Sequence, residues 1–253
     1  MILTSAIIKT VASLDKASHR RREGLFMVEG TKAVADTIGH FDLHMLICTA
    51  AWEESHPALV DGLEVTRATA RDLSRMSHMS TPPEVIAVYR LPVYAFEPRR
   101  LRGGLVLALD TIQDPGNLGT IIRTADWMGV RDIIASRETV DCFSPKVVQA
   151  TMGSIVRVKV HYCDLPATLA ALREGGMPVY GTVLGGDDIY AADLRPEGVI
   201  VVGNEGRGIS AEVLAQVTER VTIPSYPRGG AAHGESLNAA VATAIVLAAF
   251  RFG

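Results

Sequence analysis

The side chains of this sequence that could do chemistry gather at glycine-rich breaks behind apolar runs. Val199-Ile200-Val201-Val202 stops at Gly203-Asn204-Glu205-Gly206-Arg207-Gly208, and Val221-Thr222-Ile223-Pro224 leads into a polar loop that ends at Ser236-Leu237-Asn238. Leu105-Val106-Leu107-Ala108-Leu109-Asp110 gives way to a loop with an Asp-Pro turn, with Asn117 and Arg123 just beyond it. Near-continuous apolar runs of this length read as strands buried on both faces of a parallel sheet. Open α/β sheets bind ligands at the edge where such strands end. Chemistry there would be electrostatic and positional, drawn from a carboxylate, side-chain amides, a hydroxyl, and guanidinium groups with their planar forks of five donors. Gly203, Gly206 and Gly208 let backbone approach a ligand closely or take positive φ. They lack the position of a dinucleotide fingerprint, which belongs after the first strand of a βαβ unit.

Each of these residues also has an ordinary structural reading. Asn117 stands where the N-cap of the next helix belongs, and Ser236 could cap the last helix. Arg123 could form a surface pair with Asp126, three residues on, worth roughly 0.2 to 0.5 kcal/mol. Glu205 in a glycine-rich loop reads as a solvated carboxylate, and Ile223 and Leu237 as core residues. The basic run His19-Arg20-Arg21-Arg22 is a solvated face or a nucleic-acid contact.

The elements that must hold these groups follow from periodicity. Ile7, Ile8, Val11 and Leu14 recur at helical spacing. Strands are expected over 25–30, 43–48, 63–65 and 85–89, with helices over 32–38, capped by Thr31, and 71–76. Pro, Gly and charge then crowd into 91–104, which reads as a linker. The expected division is a small α/β domain over 1–95, a linker over 96–103 and a second domain over 104–253. In that second domain, strands over 105–110, 133–135, 156–160, 179–183, 199–202 and 221–223 alternate with helices. Such alternation specifies a parallel sheet with helices on both faces.

Composition narrows the class. A chain of 253 residues with 48% hydrophobic content can fill real cores. A formal charge of -3 denies it a global basic field, so any RNA contact must be local. Cys48, Cys142 and Cys163 are odd in number and unpaired in spacing, so neither a disulfide framework nor a zinc site is encoded. A reduced cytoplasm is the expected compartment. The stretch 239–250 is apolar nearly all round, yet shorter than the roughly 20 residues of a membrane span. It reads as a dimer seam or as the central helix of a monomer, since its small residues let another backbone come near.

Three segments resemble, in order, the signature motifs of the SpoU (TrmH-like) RNA 2'-O-ribose methyltransferases of the SPOUT superfamily. They are the run from Asp110-Thr111-Ile112-Gln113-Asp114-Pro115-Gly116-Asn117 to Arg123-Thr124-Ala125, then Val202-Gly203-Asn204-Glu205-Gly206-Arg207-Gly208-Ile209, then Ile223-Pro224 with Ser236-Leu237-Asn238-Ala239-Ala240. The front of the chain, through Ile8-Lys9, His19-Arg20-Arg21-Arg22 and Phe26-Met27-Val28-Glu29-Gly30, is similar to that family's small substrate-binding domain.

This resemblance implies a SPOUT-type catalytic domain with a deep trefoil knot, a homodimer paired through its C-terminal helix, S-adenosylmethionine as methyl donor and no metal. The implied substrate is the ribose 2'-hydroxyl of structured RNA, ribosomal in preference to transfer RNA because an added domain precedes the catalytic one. Asn117, Arg123, Glu205, Ser236 and Asn238 match the family's catalytic residues. Gly203, Ile223 and Leu237, with Thr182, Asn204 and Gly208, match the cofactor pocket; His19, Arg20, Arg21 and Arg22 become the RNA contact. Holding Arg123 neutral as a general base near pH 7 would cost on the order of 7 to 9 kcal/mol, which favours positioning and electrostatics and leaves the base open. The loop 224–235 is longer than usual for the family and carries His233. Two rival readings remain: a non-catalytic RNA-binding or ribosome-assembly factor on the same fold, and a nucleotide-binding oxidoreductase, disfavoured by the missing fingerprint.

Overall fold

Residues 1–93 and 141–156 form one unit and residues 94–140 and 157–253 the other, in a computed structural model that describes residues 2–226 and 236–252. The first unit runs α1 (Ser5–Ala12), α2 (Ala17–Glu23), β1 (Leu25–Glu29), α3 (Thr31–Thr37), β2 (Leu43–Cys48), α4 (Ala50–Ser55), α5 (Pro57–Val60), β3 (Val65–Arg67), α6 (Ala70–Met76) and β4 (Val85–Arg90). Its sheet has the order β1-β4-β2-β3, antiparallel except between β2 and β3. Successive residues of a strand face opposite ways. Leu25 and Met27 therefore join Ile8, Val11, Leu73 and Met76 in a core under α1 and α6. Phe26, between them, meets Phe41, Tyr89 and Phe143 at ring-centroid distances of 5.2, 5.4 and 4.6 Å.

Phe143 comes from much later in the chain. The segment 141–156, which carries α8 (Pro145–Thr151), groups by its contacts with the first unit.

The second unit holds β5 (Leu105–Leu109), α7 (Pro115–Trp127), β6 (Asp132–Ser136), β7 (Lys159–Cys163), α9 (Leu165–Glu174), β8 (Val179–Asp188), β9 (Gly198–Val202), α10 (Ala211–Leu214), β10 (Glu219–Thr222) and α11 (Ala239–Phe252). Its six strands are all parallel, in the order β10-β8-β9-β5-β6-β7. Every residue of β5 and β9 is buried, as their unbroken apolar runs require. Leu165, Leu169 and Leu172 of α9 pack with Val179, Val199 and Val201 on one face. Tyr180, pointing the other way, meets Phe250 of α11 edge-on at 4.8 Å, which puts α11 on the opposite face.

From β5 the chain steps outward through β6 and β7, then returns so that β9 lies on the other side of β5. The strand order reverses between β5 and β9. A crevice opens outside the carboxyl ends of strands at such a point. Leu109 and Val202 are in register there, and the Asp110 N–H bonds the Val202 carbonyl at 2.9 Å.

Several local expectations are corrected. Thr31 does not cap α3: Gly30 holds the cap position, and the Thr31 hydroxyl accepts from the Trp52 indole at 2.8 Å. The strand expected at 156–160 lies at Lys159–Cys163, because residues 154–156 take a 3₁₀ turn. The third strand likewise sits two residues late, at Val65–Arg67. The segment read as a linker is docked: Leu101 is buried, and Phe96 packs on the same core of the second unit. Among the described residues no helix is long and apolar enough to cross a membrane.

Candidate active site

The loop after β5 ends in Asp114-Pro115, and this pair starts α7. Pro115 occupies the first turn, where a missing N–H costs nothing, and the Asp114 carboxylate accepts the Asn117 N–H at 2.7 Å. Asn117 is thus not the cap that its position promised. Its side chain is free for other work.

Asn117 Nδ2 donates to Glu205 Oε1 from the loop after β9. Asn117 Oδ1 accepts from Asn238 Nδ2 at 2.9 Å. Asn238 Oδ1 accepts the N–H groups of Ala240 and Val241 at 3.0 and 3.3 Å, so Asn238, and not Ser236, caps α11. Ser236 donates to the Glu205 carbonyl at 3.5 Å, the long end of a hydrogen bond.

These contacts leave each amide one orientation. The helix N–H groups claim the Asn238 oxygen, which turns its NH₂ toward Asn117 and, in turn, the Asn117 NH₂ toward a carboxylate that only accepts. A directed chain of donors runs from the start of α11 to Glu205 across three segments far apart in sequence.

Arg123 stands apart from this network. It is exposed on α7, six residues beyond Asn117 and so roughly 240° around the helix, and bonds none of the described residues. Its supposed partner Asp126 is taken by Arg157, which donates Nε at 2.9 Å and Nη2 at 2.7 Å.

The residues expected in a cofactor pocket divide by what is left free. Asn204 is committed internally: its oxygen accepts from the Gly206 and Arg207 N–H groups at 3.0 and 3.1 Å, and its amide donates to the Thr111 carbonyl at 2.9 Å. Its backbone and that of Gly208 exchange hydrogen bonds at 3.0 and 2.8 Å. Gly203 must lack a side chain, since a Cβ there would lie 2.3 Å from the Gly208 carbonyl carbon. Thr182 donates its hydroxyl to the Val201 carbonyl at 2.9 Å. Leu237, by contrast, is 48% exposed and Ile223 half-buried, so neither is the core residue its apolarity suggests. His233 and most of the long loop, residues 227–235, lie outside the described residues.

Residues that sequence reasoning missed brace the site. The buried Asp110 accepts from the Ser210 N–H at 2.7 Å and from the Thr111 hydroxyl at 3.0 Å. Thr111 has φ of 60°, rare for a β-branched residue, and its N–H is held by Ser136 Oγ at 3.0 Å. An acid closing an all-apolar strand was a visible signal for Asp110. Thr111 stands in the first of the resembling segments, but nothing in the sequence marks its backbone conformation.

The basic run of the first unit does not stay together. α2 turns Arg20 inward until it is 1% exposed, where it donates to the Leu14 and Asp15 carbonyls at 2.7 and 2.8 Å and to Asp141 at 2.9 and 2.6 Å. Arg20 is a structural residue that pins the 141–156 segment, and is withdrawn from any RNA contact. Arg21 and Arg22 remain exposed, Arg22 beside Glu23 at 2.8 Å. His19 is half-buried, and its Nδ1 finds no partner among the described residues.

Residues 104–248 match the SpoU rRNA Methylase family. The chain belongs to that family. Residues 5–87 match the MRM3-like substrate binding domain. The 23S rRNA (guanosine(2553)-2'-O)-methyltransferase RlmP of Bacillus subtilis is 30% identical over 241 residues, covering 95% of this chain and 94% of its own. A TrmH-family chain from Porphyromonas gingivalis superposes with a TM-score of 0.87 at 40% identity over 99% of both chains. An AdoMet-bound rRNA methyltransferase from Sinorhizobium meliloti does so with a TM-score of 0.85 at 30% identity, over 99% of this chain and 97% of its own. The polar network of this SpoU family chain joins Asn117, Glu205, Ser236 and Asn238, which come from the three segments that resemble signature motifs.

Proposed function

We propose that this SpoU family chain transfers a methyl group from S-adenosylmethionine to a ribose 2'-hydroxyl of ribosomal RNA. The observation that carries the reading is the convergence of Asn117, Glu205, Ser236 and Asn238 where the strand order reverses. Its support is the full-length relative RlmP, which acts on 23S rRNA at a ribose oxygen. Transfer RNA, the alternative substrate, has less support because that relative also shares the preceding domain.

The residues present fit the donor. Leu237 and Ile223 offer incompletely covered aliphatic surface against which an adenine would rest, and Gly203, packed on the Gly208 backbone, holds the loop after β9 close. When bound, the donor supplies a sulfonium-activated methyl group. Ser236 and Asn238 orient the ribose. Arg123, unclaimed by any described residue, takes the adjoining phosphate with its planar fork. Glu205 holds Asn117 and offsets the positive charge gathered there. Rate acceleration comes chiefly from aligning the two reactants.

The first unit supplies RNA affinity, with Arg21 and Arg22 as contacts and a salt-sensitive phosphate term. α11 keeps Val241 at 49% and Phe252 at 82% exposed, beside Trp127 of α7 at 88%, apolar surface that a second copy of the chain would cover. The Asn117–Asn238 bond ties the last segment across the first motif, in keeping with a knotted C-terminus. The setting is the cytoplasm.

Incubation with 23S rRNA and methyl-labelled S-adenosylmethionine tests the proposal. Digestion to nucleosides should yield one 2'-O-methylated product; label on a base, or none, would reject it.

A further inference from the structure

Asn204 is surrounded by evidence that its work lies in the protein. Its side-chain oxygen accepts the Gly206 and Arg207 N–H groups and so shapes the turn that carries Glu205, and its amide crosses to the Thr111 carbonyl on the neighbouring loop. Thr111 is a hub with every polar group taken: N–H by Ser136, hydroxyl by Asp110, carbonyl by Asn204. A β-branched residue at φ of 60° persists only where its surroundings over-determine it. Asp110 adds a second crossing by holding the Ser210 N–H on the far side of the same loop. The segment from Asn204 to Ser210 is thus fastened at both ends to the loop after β5, and Glu205 is the first residue inside the fastening.

We propose that Asn204 is a positioning residue, one that sets Glu205 against Asn117 by locking the loop after β9 to the Thr111 carbonyl, and does not itself touch the methyl donor. This rests on the methyltransferase reading of the site above. One carboxylate must meet one amide reaching from the first turn of α7, and that helix fixes only the Asn117 half of the contact. The Asn204 to Thr111 bond fixes the other half. Without it the turn survives, because Gly206 and Arg207 still have their acceptor, while the height of Glu205 above the sheet is no longer set.

Asn204→Asp separates these roles. It keeps the acceptor for the turn and replaces the donor aimed at Thr111 by a second acceptor. The expected result is a fall in kcat of about thirty-fold, with the Kd for S-adenosylmethionine by calorimetry and the KM for RNA each within about two-fold of wild type, and a crystal structure in which Glu205 has left Asn117. Should that variant fail to fold, Asn204→Ser, whose hydroxyl serves the turn and does not reach Thr111, should give the same split. Unchanged kcat, or a loss of donor affinity as large as the loss of kcat, would overturn the proposal, the latter because Asn204 would then be a ligand of the donor. A wild-type protein that methylates no rRNA rejects the functional reading alone, and the Glu205 to Asn117 separation in the variant crystal still decides the role of Asn204.

Discussion

The basic run of the first unit and the polar network of the second treat sequence neighbours in opposite ways. His19 to Arg22 are contiguous, and one short helix disperses them: Arg20 is sealed against Asp141 while Arg21 and Arg22 stay in water. Glu205 and Asn238 lie 88 and 121 residues beyond Asn117, and the first turn of α7, the loop after β9 and the start of α11 bring the three into hydrogen-bond contact. A helix advances about 100° per residue, so adjacent side chains on it cannot share a ligand. Parallel strands, in contrast, all end at the same edge, so distant residues that follow them can.

The largest effect that would break this comparison is catalytic. Arg123→Ala should lower single-turnover methyl transfer by about a thousand-fold, the loss typical of removing one preorganised electrostatic donor, with S-adenosylmethionine affinity unchanged by calorimetry. A variant with near-normal turnover would leave Arg123 an ordinary surface residue. Glu205→Gln keeps the shape and removes the charge, so its loss should be smaller, roughly ten-fold in kcat.

Stability comes next and should separate the arginines of α2. Arg20→Met strands Asp141 and the carbonyls of Leu14 and Asp15, so denaturant unfolding should register a loss of about 3 kcal/mol. Arg21→Ala and Arg22→Ala should change stability by less than about 0.5 kcal/mol. Each should instead weaken RNA binding and lower the salt slope of the affinity by about one. Equal stability losses at all three positions would erase the distinction.

The smallest effect is a titration. Tyr89 is fully buried and shares a 2.9 Å hydrogen bond with Thr37, and burial pushes its phenol up to about 12 from an ordinary value near 10. The neutral form is favoured in the folded unit, so this contribution to stability is complete below pH 10 and lost as pH rises through about 12. Absorbance titration of the tyrosinate together with unfolding midpoints over that range should show the two moving together.

Much of this was legible beforehand. Unbroken apolar runs announced β5 and β9 as central strands, and the glycine breaks behind them marked the edge where the site forms. What escaped was local competition. Asp114 outbid Asn117 for the cap of α7, because Asp-Pro supplies both a capping carboxylate and a first-turn proline. Asn238 took from Ser236 the start of α11. No pattern along the chain could reveal that Arg20 has a partner 121 residues away, or that residues 141–156 make their contacts with the first unit. These outcomes depend on tertiary packing, which periodicity does not encode.

One crystal would test the core idea directly: the protein grown with S-adenosylmethionine. The adenosine should lie against Gly203, Ile223 and Leu237 with its methyl group turned toward the Asn117, Glu205 and Asn238 network. A donor held elsewhere on the second unit, with that network facing solvent, would contradict the account.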